Sequence, residues 1–471
     1  MPDGLLAITF VVAAGVSLAA SSVLVSRLER VGARFGLTEG LLGMVAALAA
    51  DAPEITTAVT ALIGHRARIG AGVIIGSNVF NLAALLGFAA VVAGRIALHR
   101  RVIALEGAVA LPIASVCLVV VVGALPPAVG LALVSAVLVP YLVVLGLPGE
   151  RLGRLGMPPA WARWLAGAVA EEELELEPAI HPPRGRLSDV VAAAAAVLVV
   201  VAASVAMEQT ASTLGTREAV PEIVIGALVL AGVTSLPNAV AAIYLARRGR
   251  GTATLSTAMN SNALNVAAGL LLPATIVGLG PASGSGTLVA AWYLGLTAFA
   301  LGLAYHGRGL ARGPGLLILC AYASFVGVLL ATAYPSRSGV LVSIAVPAAL
   351  GLALASGPRL VRSGDSLVEG WSIGRVWILA LALSSLIAAV DAILGHHIIL
   401  IGLLVVGPCC ALLTGRWAET ASAGAWAVAL AVLVGIPDGI WGTSTHLILL
   451  AAVVIVSLVS TSSAAIVQRR R

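Results

Sequence analysis

Apolar runs of about 18–25 residues follow one another along the whole 471-residue chain, each long enough to cross the roughly 30 Å hydrocarbon core of a bilayer. About fifteen are legible, starting near residues 4, 37, 69, 101, 125, 188, 220, 252, 285, 313, 338, 374, 397, 420 and 444. The first has no basic leader or cleavage site and reads as a retained helix rather than a signal peptide. The least apolar stretch, 148–187, separates five runs in 1–147 from five in 188–333, and about five more fill 334–471. An odd number of crossings per block inserts the second block upside down relative to the first. The pattern therefore predicts an all-α polytopic membrane protein: two inverted five-helix repeats, then a C-terminal membrane extension of about five helices.

Polar residues inside these runs are few, and they recur. Ala50-Asp51-Ala52-Pro53-Glu54 and then Gly76-Ser77-Asn78-Val79-Phe80-Asn81 occur in the first block. Thr234-Ser235-Leu236-Pro237-Asn238 and then Asn260-Ser261-Asn262-Ala263-Leu264-Asn265 occur in the second. The two sets align without gaps at an offset of 184, and Glu54 to Asn81 and Asn238 to Asn265 are both 27 residues. An ionised carboxylate at mid-bilayer costs at least ~2.5–3.5 kcal/mol, so a chain keeps one there for a reason. Polar, proline-broken helices in equivalent positions of two halves are how secondary transporters build an ion site.

The residue types say what such a site would hold. Asp51 and Glu54 are three apart and share a helix face. Pro53 cannot donate to the carbonyl of Ala49, nor Pro237 to that of Val233, which frees backbone oxygens beside the acids and beside Thr234 and Ser235. Ser77 and Asn81 are spaced i, i+4, as are Ser261 and Asn265, so each pair presents a hydroxyl and an amide on one side. Together they offer carboxylate, carbonyl, amide and hydroxyl oxygens, a set suited to hard cations such as Na⁺ or Ca²⁺ rather than zinc or copper. Asn78 and Asn262 either join the site or pack between the repeats, while Thr56, Thr57 and Thr60 read as helix-packing hydroxyls. Glu106, close after Arg100 and Arg101, reads as a local pair near the inner surface.

Sixty per cent of the residues are hydrophobic and 10% charged, which excludes an ordinary soluble domain. All 27 basic residues are Arg. With the N-terminus outside, alternation through fifteen spans puts 23 of them inside, the C-terminal Arg469 to Arg471 included. Only four, Arg66, Arg68, Arg217 and Arg337, fall outside. The excess thus reports topology rather than a nucleic-acid partner. The expected setting is the plasma membrane, with the bilayer and the inorganic cations suited to the polar site as partners. The linker 148–187 carries Trp161, Arg163 and Trp164, which suit an interfacial segment, and the run Glu171 to Glu177, which reads as a solvated spacer. Cys117, Cys320, Cys409 and Cys410 lie in apolar runs and read as small core residues.

At the repeated elements the chain resembles the cation/calcium exchanger superfamily, the sodium/calcium exchangers and their prokaryotic relatives. That family's two alpha-repeats run roughly Gly-Thr-Ser-x-Pro-Glu, then Gly-Ser-Asn-x-x-Asn or Asp, and the resemblance covers about 1–333. It implies alternating access, with Na⁺ entering while Ca²⁺ leaves, and no ATP or redox cofactor. By position Glu54 would be the carboxylate shared by Ca²⁺ and Na⁺. Ser77, Asn81, Ser235, Ser261 and Asn265, with the carbonyls of Ala50 and Thr234, would complete the ion sites. Two positions depart from the family pattern: Asn238 replaces its second central glutamate, and Asp51 takes a hydroxyl position. The acid count stays at two, both on one helix, where joint ionisation is resisted. A proton-coupled or monovalent cation exchanger on the same fold is thus the alternative, and a non-transporting membrane sensor the third reading. No catalytic triad, metal triad or phosphate loop points to an enzyme.

In the extension, Gly407 to Arg416 and Pro437 to Thr443 loosely resemble a membrane module found ahead of bacterial stress-response phosphatase domains. Asp391 and Asp438 fall near predicted outer span ends and read as interfacial, and His396-His397 as an outer turn.

Overall fold

The computed structural model describes residues 2–147, 158–176, 185–333 and 373–394 and, with interruptions, 401–465. His396, His397, Asp438 and the run predicted near 338 lie outside the described residues, as do parts of the linker and of the runs predicted near 397 and 444.

The first unit, within residues 1–333, opens with α1 (Asp3–Arg34). Next come α2 (Glu39–Ala50) and α3 (Ala52–Ile63), which meet at Asp51 with a bend of 52°. Pro53 at the start of α3 has no N–H to continue the ladder, so the chain breaks there. After α4 (Ala67–Asn81) a π-helical stretch, π1 (Leu82–Phe88), runs into α5 (Ala89–Ala93). β1 (Arg95–Ala97), α6 (Arg100–Val121) and α7 (Pro127–Gly146) follow.

Beyond α8 (Pro159–Leu176), the long α9 (Leu187–Arg217) leads to α10 (Glu222–Val224), π2 (Ile225–Leu230) and α11 (Ala231–Thr234). A 47° bend at Ser235 separates these from α12 (Leu236–Arg247), again one residue ahead of a proline pair, Leu236-Pro237. α13 (Gly251–Leu264), π3 (Asn265–Leu271) and α14 (Leu272–Val277) form one continuous path, followed by α15 (Gly284–Gly307), β2 (Gly309–Ala311) and α16 (Arg312–Ala333). The starts of α9, α12, α13 and α15 each lie 184 residues after those of α1, α3, α4 and α6. Among the described residues eight helices are long and apolar enough to cross a membrane, or ten if each bent pair is one span.

α1 and α9 pack antiparallel along their lengths. Arg217 binds Asp3 at 2.6 Å, Ser17 and Ser204 share a 3.0 Å hydrogen bond midway, and Arg27 binds Asp189 at 2.7 Å at the far end. Their outer faces carry Ile8, Val11, Val12, Val191 and Leu198, all exposed, as a lipid-facing surface requires. Deeper in, α4 meets π2 through glycines: Gly72 lies against Gly226, and a Cβ on Gly76 would overlap the backbone of Ala227. β1 pairs antiparallel with β2, Arg95 opposite Ala311, gathering Arg95, Arg308 and Arg312 at one end of the unit.

In the linker, α8 packs its Ala168 and Val169, both buried, among α2, α6, α7 and α13, and Glu171, the one acid of its run whose side chain is described, lies 3.8 Å from His99. Two expectations need correction. Glu106 is no surface pair. It is fully buried, while Arg100 stacks on Tyr305 and Arg101 faces Gly167 of α8. Asp391, expected at an interface, is fully buried in the second unit. That unit includes α17 (Ile373–Leu394), α18 (Val406–Ala411) and α19 (Trp417–Val434), packed around Ala388, Leu404, Ala427 and Ala431.

Candidate cation site

Both acids sit where α2 gives way to α3. Asp51 caps the break and Glu54 lies in the first turn of α3, and each is fully buried. Every hydrogen bond that holds their carboxylates comes from the second half of the unit. Asp51 Oδ1 accepts from Ser261 Oγ at 2.7 Å and Asn238 Nδ2 at 2.6 Å. Glu54 Oε1 accepts from Ser235 Oγ at 2.6 Å, and its Oε2 from Asn265 Nδ2 at 2.5 Å. Asn81 Nδ2 donates to Ser261 Oγ at 3.1 Å, which ties α4 into the same network. Ser77 Oγ lies beside Glu54 without a well-formed hydrogen bond to it.

The carbonyl of Ala49, freed by Pro53, accepts from Ser21 Oγ of α1 at 3.0 Å, and that of Ala50 from the same hydroxyl at 3.4 Å. Thr234 turns its hydroxyl back to the carbonyl of Leu230 at 2.9 Å, so only its own carbonyl is left to contribute. The structure thus gathers the polar elements of both halves into one buried cluster. Asn78 and Asn262 bridge the two halves and join the same network: each donates its amide to the other's backbone carbonyl at 3.1 Å, while Asn78 Oδ1 accepts from Asn265 Nδ2 at 3.2 Å and Asn262 Oδ1 from Asn81 Nδ2 at 3.1 Å. The sequence reading missed Ser17 and Ser21, whose i, i+4 spacing on an apolar helix was the available signal.

The bonds that are not made define the chemistry. Asp51 Oδ2, Ser77 Oγ, Asn81 Oδ1 and Asn265 Oδ1 are buried without a hydrogen-bond partner, as is Thr57 Oγ1 one turn along from Glu54. All are oxygens. Each such atom costs about 1–3 kcal/mol, so four together approach the whole ~5–15 kcal/mol stability of a typical fold. Oxygen atoms of these kinds are the ligands that hard cations take. Among the described residues no group of three or more His, Cys, Asp or Glu is placed to hold a metal.

A family model described as "Sodium/calcium exchanger protein" matches residues 5–148 and 188–355, more than half of the chain. No curated protein sequence matches it. Among solved structures the chain is similar to the H⁺/Ca²⁺ exchanger CAX, with a TM-score of 0.52 and 14% identity over 76% of this chain and 89% of that one. It is also similar to the sodium-calcium exchanger NCX_Mj (TM-score 0.43, 19% identity, 68% and 97% coverage) and to native YfkE (0.44, 17%, 70% and 93%). The first likeness shows the fold. With its apolar helices, two bent spans and matched family model, the chain is a multi-pass membrane protein belonging to the sodium/calcium exchanger family, a secondary transporter and not an enzyme.

Proposed function

We propose that the chain exchanges Na⁺ for Ca²⁺ across the plasma membrane by alternating access. The observation that carries this reading is the cluster of orphaned oxygens beside two buried carboxylates. Glu54, Asp51, Ser77, Asn81, Ser235, Asn238, Ser261 and Asn265, with the carbonyls of Ala50 and Thr234, hold the ions. The amides serve both states. Half a turn of the Asn265 or Asn238 side chain replaces its NH₂ with its oxygen, so the group that bonds a carboxylate between ions ligates the ion when one arrives.

The frame is two inverted five-helix repeats, 1–147 and 188–333, joined by 148–187, with 334–471 as an extension. The antiparallel course of α1 and α9 and the reciprocal bonds of Asn78 and Asn262 support this reading. The N-terminus outside and the C-terminus inside suit the pairing of Asp189 with Arg27 and Arg30 at one end and of Asp3 with Arg217 at the other.

Proton coupling is the second reading. Asn238 brings no charge to the cluster and is itself bound to Asp51, so both acids come from one helix break. The names of the similar structures cover both couplings, H⁺/Ca²⁺ and sodium–calcium exchange. Proteoliposomes loaded against a Na⁺ gradient or a pH gradient, with ⁴⁵Ca²⁺ uptake measured, separate the two. Uptake that requires Na⁺ supports the proposal, and uptake that follows only pH replaces Na⁺ with H⁺. Uptake under neither gradient overturns Ca²⁺ exchange, leaving other cations and then the sensor.

A further inference from the structure

A second acid lies buried away from the cluster. Glu106 of α6 is fully buried, with Oε1 accepting from Ser256 Oγ of α13 at 2.7 Å and from Tyr141 of α7 at 3.2 Å. Its Oε2 is buried without a partner, and among the described residues no arginine or histidine forms an ion pair with it. A second orphan lies one turn along α13 from Ser256: Asn260, 95% buried by its 5% exposure, has no hydrogen-bond partner at Oδ1. The next residue, Ser261, donates to Asp51. Ser256 and Ser261 are five residues apart, about 7.5 Å along a helix. One helix therefore carries polar side chains from Glu106 to the cluster.

This arrangement is confined to one side. The positions 184 residues from Glu106 and Tyr141 are Ala290 and Phe325, and those equivalent to Ser256 and Asn260 are Gly72 and Gly76. Where α13 presents a hydroxyl and an amide, α4 presents glycines closed against Gly226 and Ala227. Repeat symmetry thus accounts for the central cluster but not for Glu106. The acid lies six residues into α6 from Arg100, on the way from the arginine-rich end marked by β1 and β2.

We propose that Glu106 Oε2 and Asn260 Oδ1 form a transit site for the exchanged cation, serving only the route between the arginine-rich face and Asp51. The proposal rests on the exchange reading above. One carboxylate and neutral oxygens bind an inorganic cation weakly enough to release it onward, and the glycine-packed side has no equivalent.

The test is sidedness. In sealed vesicles of either orientation carrying the full chain, the cation concentration for half-maximal exchange is measured at each face. Glu106→Gln raises it at least tenfold at the arginine-rich face and leaves the opposite face within twofold, and Glu106→Asp recovers most of the loss. No change, or equal change at both faces, overturns the proposal, because a purely structural acid has no side. Ser256→Cys provides an arm that needs no transport. Its labelling by 2-aminoethyl methanethiosulfonate, a cation, is compared with the neutral methyl reagent, with the parent chain's cysteines subtracted. At least fivefold preference for the cation, from the arginine-rich face only and lost on adding Glu106→Gln, supports the transit site. No preference, or labelling from the other face, overturns it. A Ser256→Cys chain that labels this way while the wild type carries no flux sinks the exchange reading instead.

Discussion

Asp51 and Glu54 lie three residues apart yet are held by different partners, Asp51 by Asn238 and Ser261 and Glu54 by Ser235 and Asn265. The consequences of substitution differ accordingly. Glu54→Gln keeps the shape and removes the charge, and exchange should fall at least a hundredfold in the ⁴⁵Ca²⁺ assay; wild-type flux would remove Glu54 from the site. Asn238→Glu places a second carboxylate against Asp51, where two charges 4 Å apart repel by about 4 kcal/mol at an effective dielectric of 20. Only a divalent ion or a proton relieves that repulsion, so ion preference or the pH dependence of flux should change. If neither changes, Asn238 is not a ligand. Ser261→Ala takes a donor from a buried carboxylate and should cost roughly 1–3 kcal/mol in ion-free protein, read as a lower melting temperature.

At the scale of elements, the breaks and the glycines govern the architecture. A Cβ on Gly76 would overlap the backbone of Ala227, whereas one on Gly232 meets nothing within 4 Å. Gly76→Ala should therefore destabilise by about 1–3 kcal/mol. Gly232→Ala should be neutral or stabilise by up to about 1 kcal/mol, and the pair can be compared by thermal unfolding. The helix breaks at Asp51 and Ser235 were legible because proline removes a donor wherever it stands, and Ser77, Asn81, Ser261 and Asn265 because i, i+4 spacing fixes a face. The π-helical stretches after Asn81 and from Asn265 left no local signal, since an extra residue in a turn is settled by packing. Glu106 was misread for a related reason. Arg100 and Arg101 are near it in sequence, but on folding they go to Tyr305 and to α8 while the acid turns inward. Likewise, the packing of Ala168 and Val169 ahead of the acidic run left no local signal, because the helix finds its apolar partners, α2 and α13, far along the chain.

For the whole molecule, the proposed site would link ion binding to folding. The cluster draws on α2, α3, α4, α12 and α13 together, so a cation bound there would favour the assembled unit. At a hundred times its dissociation constant it should add about 2.7 kcal/mol, and a ranking of cations by their rise in melting temperature should reproduce the ranking by transport. A cation that is carried without protecting the fold would contradict the shared site. The partition of the cluster has a further consequence, for descent. Both carboxylates belong to the first half, and all the donors that hold them belong to the second. Two copies of the first half would bring four acids together without these donors, and two copies of the second would have no acid there at all. Whatever common ancestor the duplicated sequence had, neither descendant can stand in for the other, and each now constrains the substitutions its twin can accept.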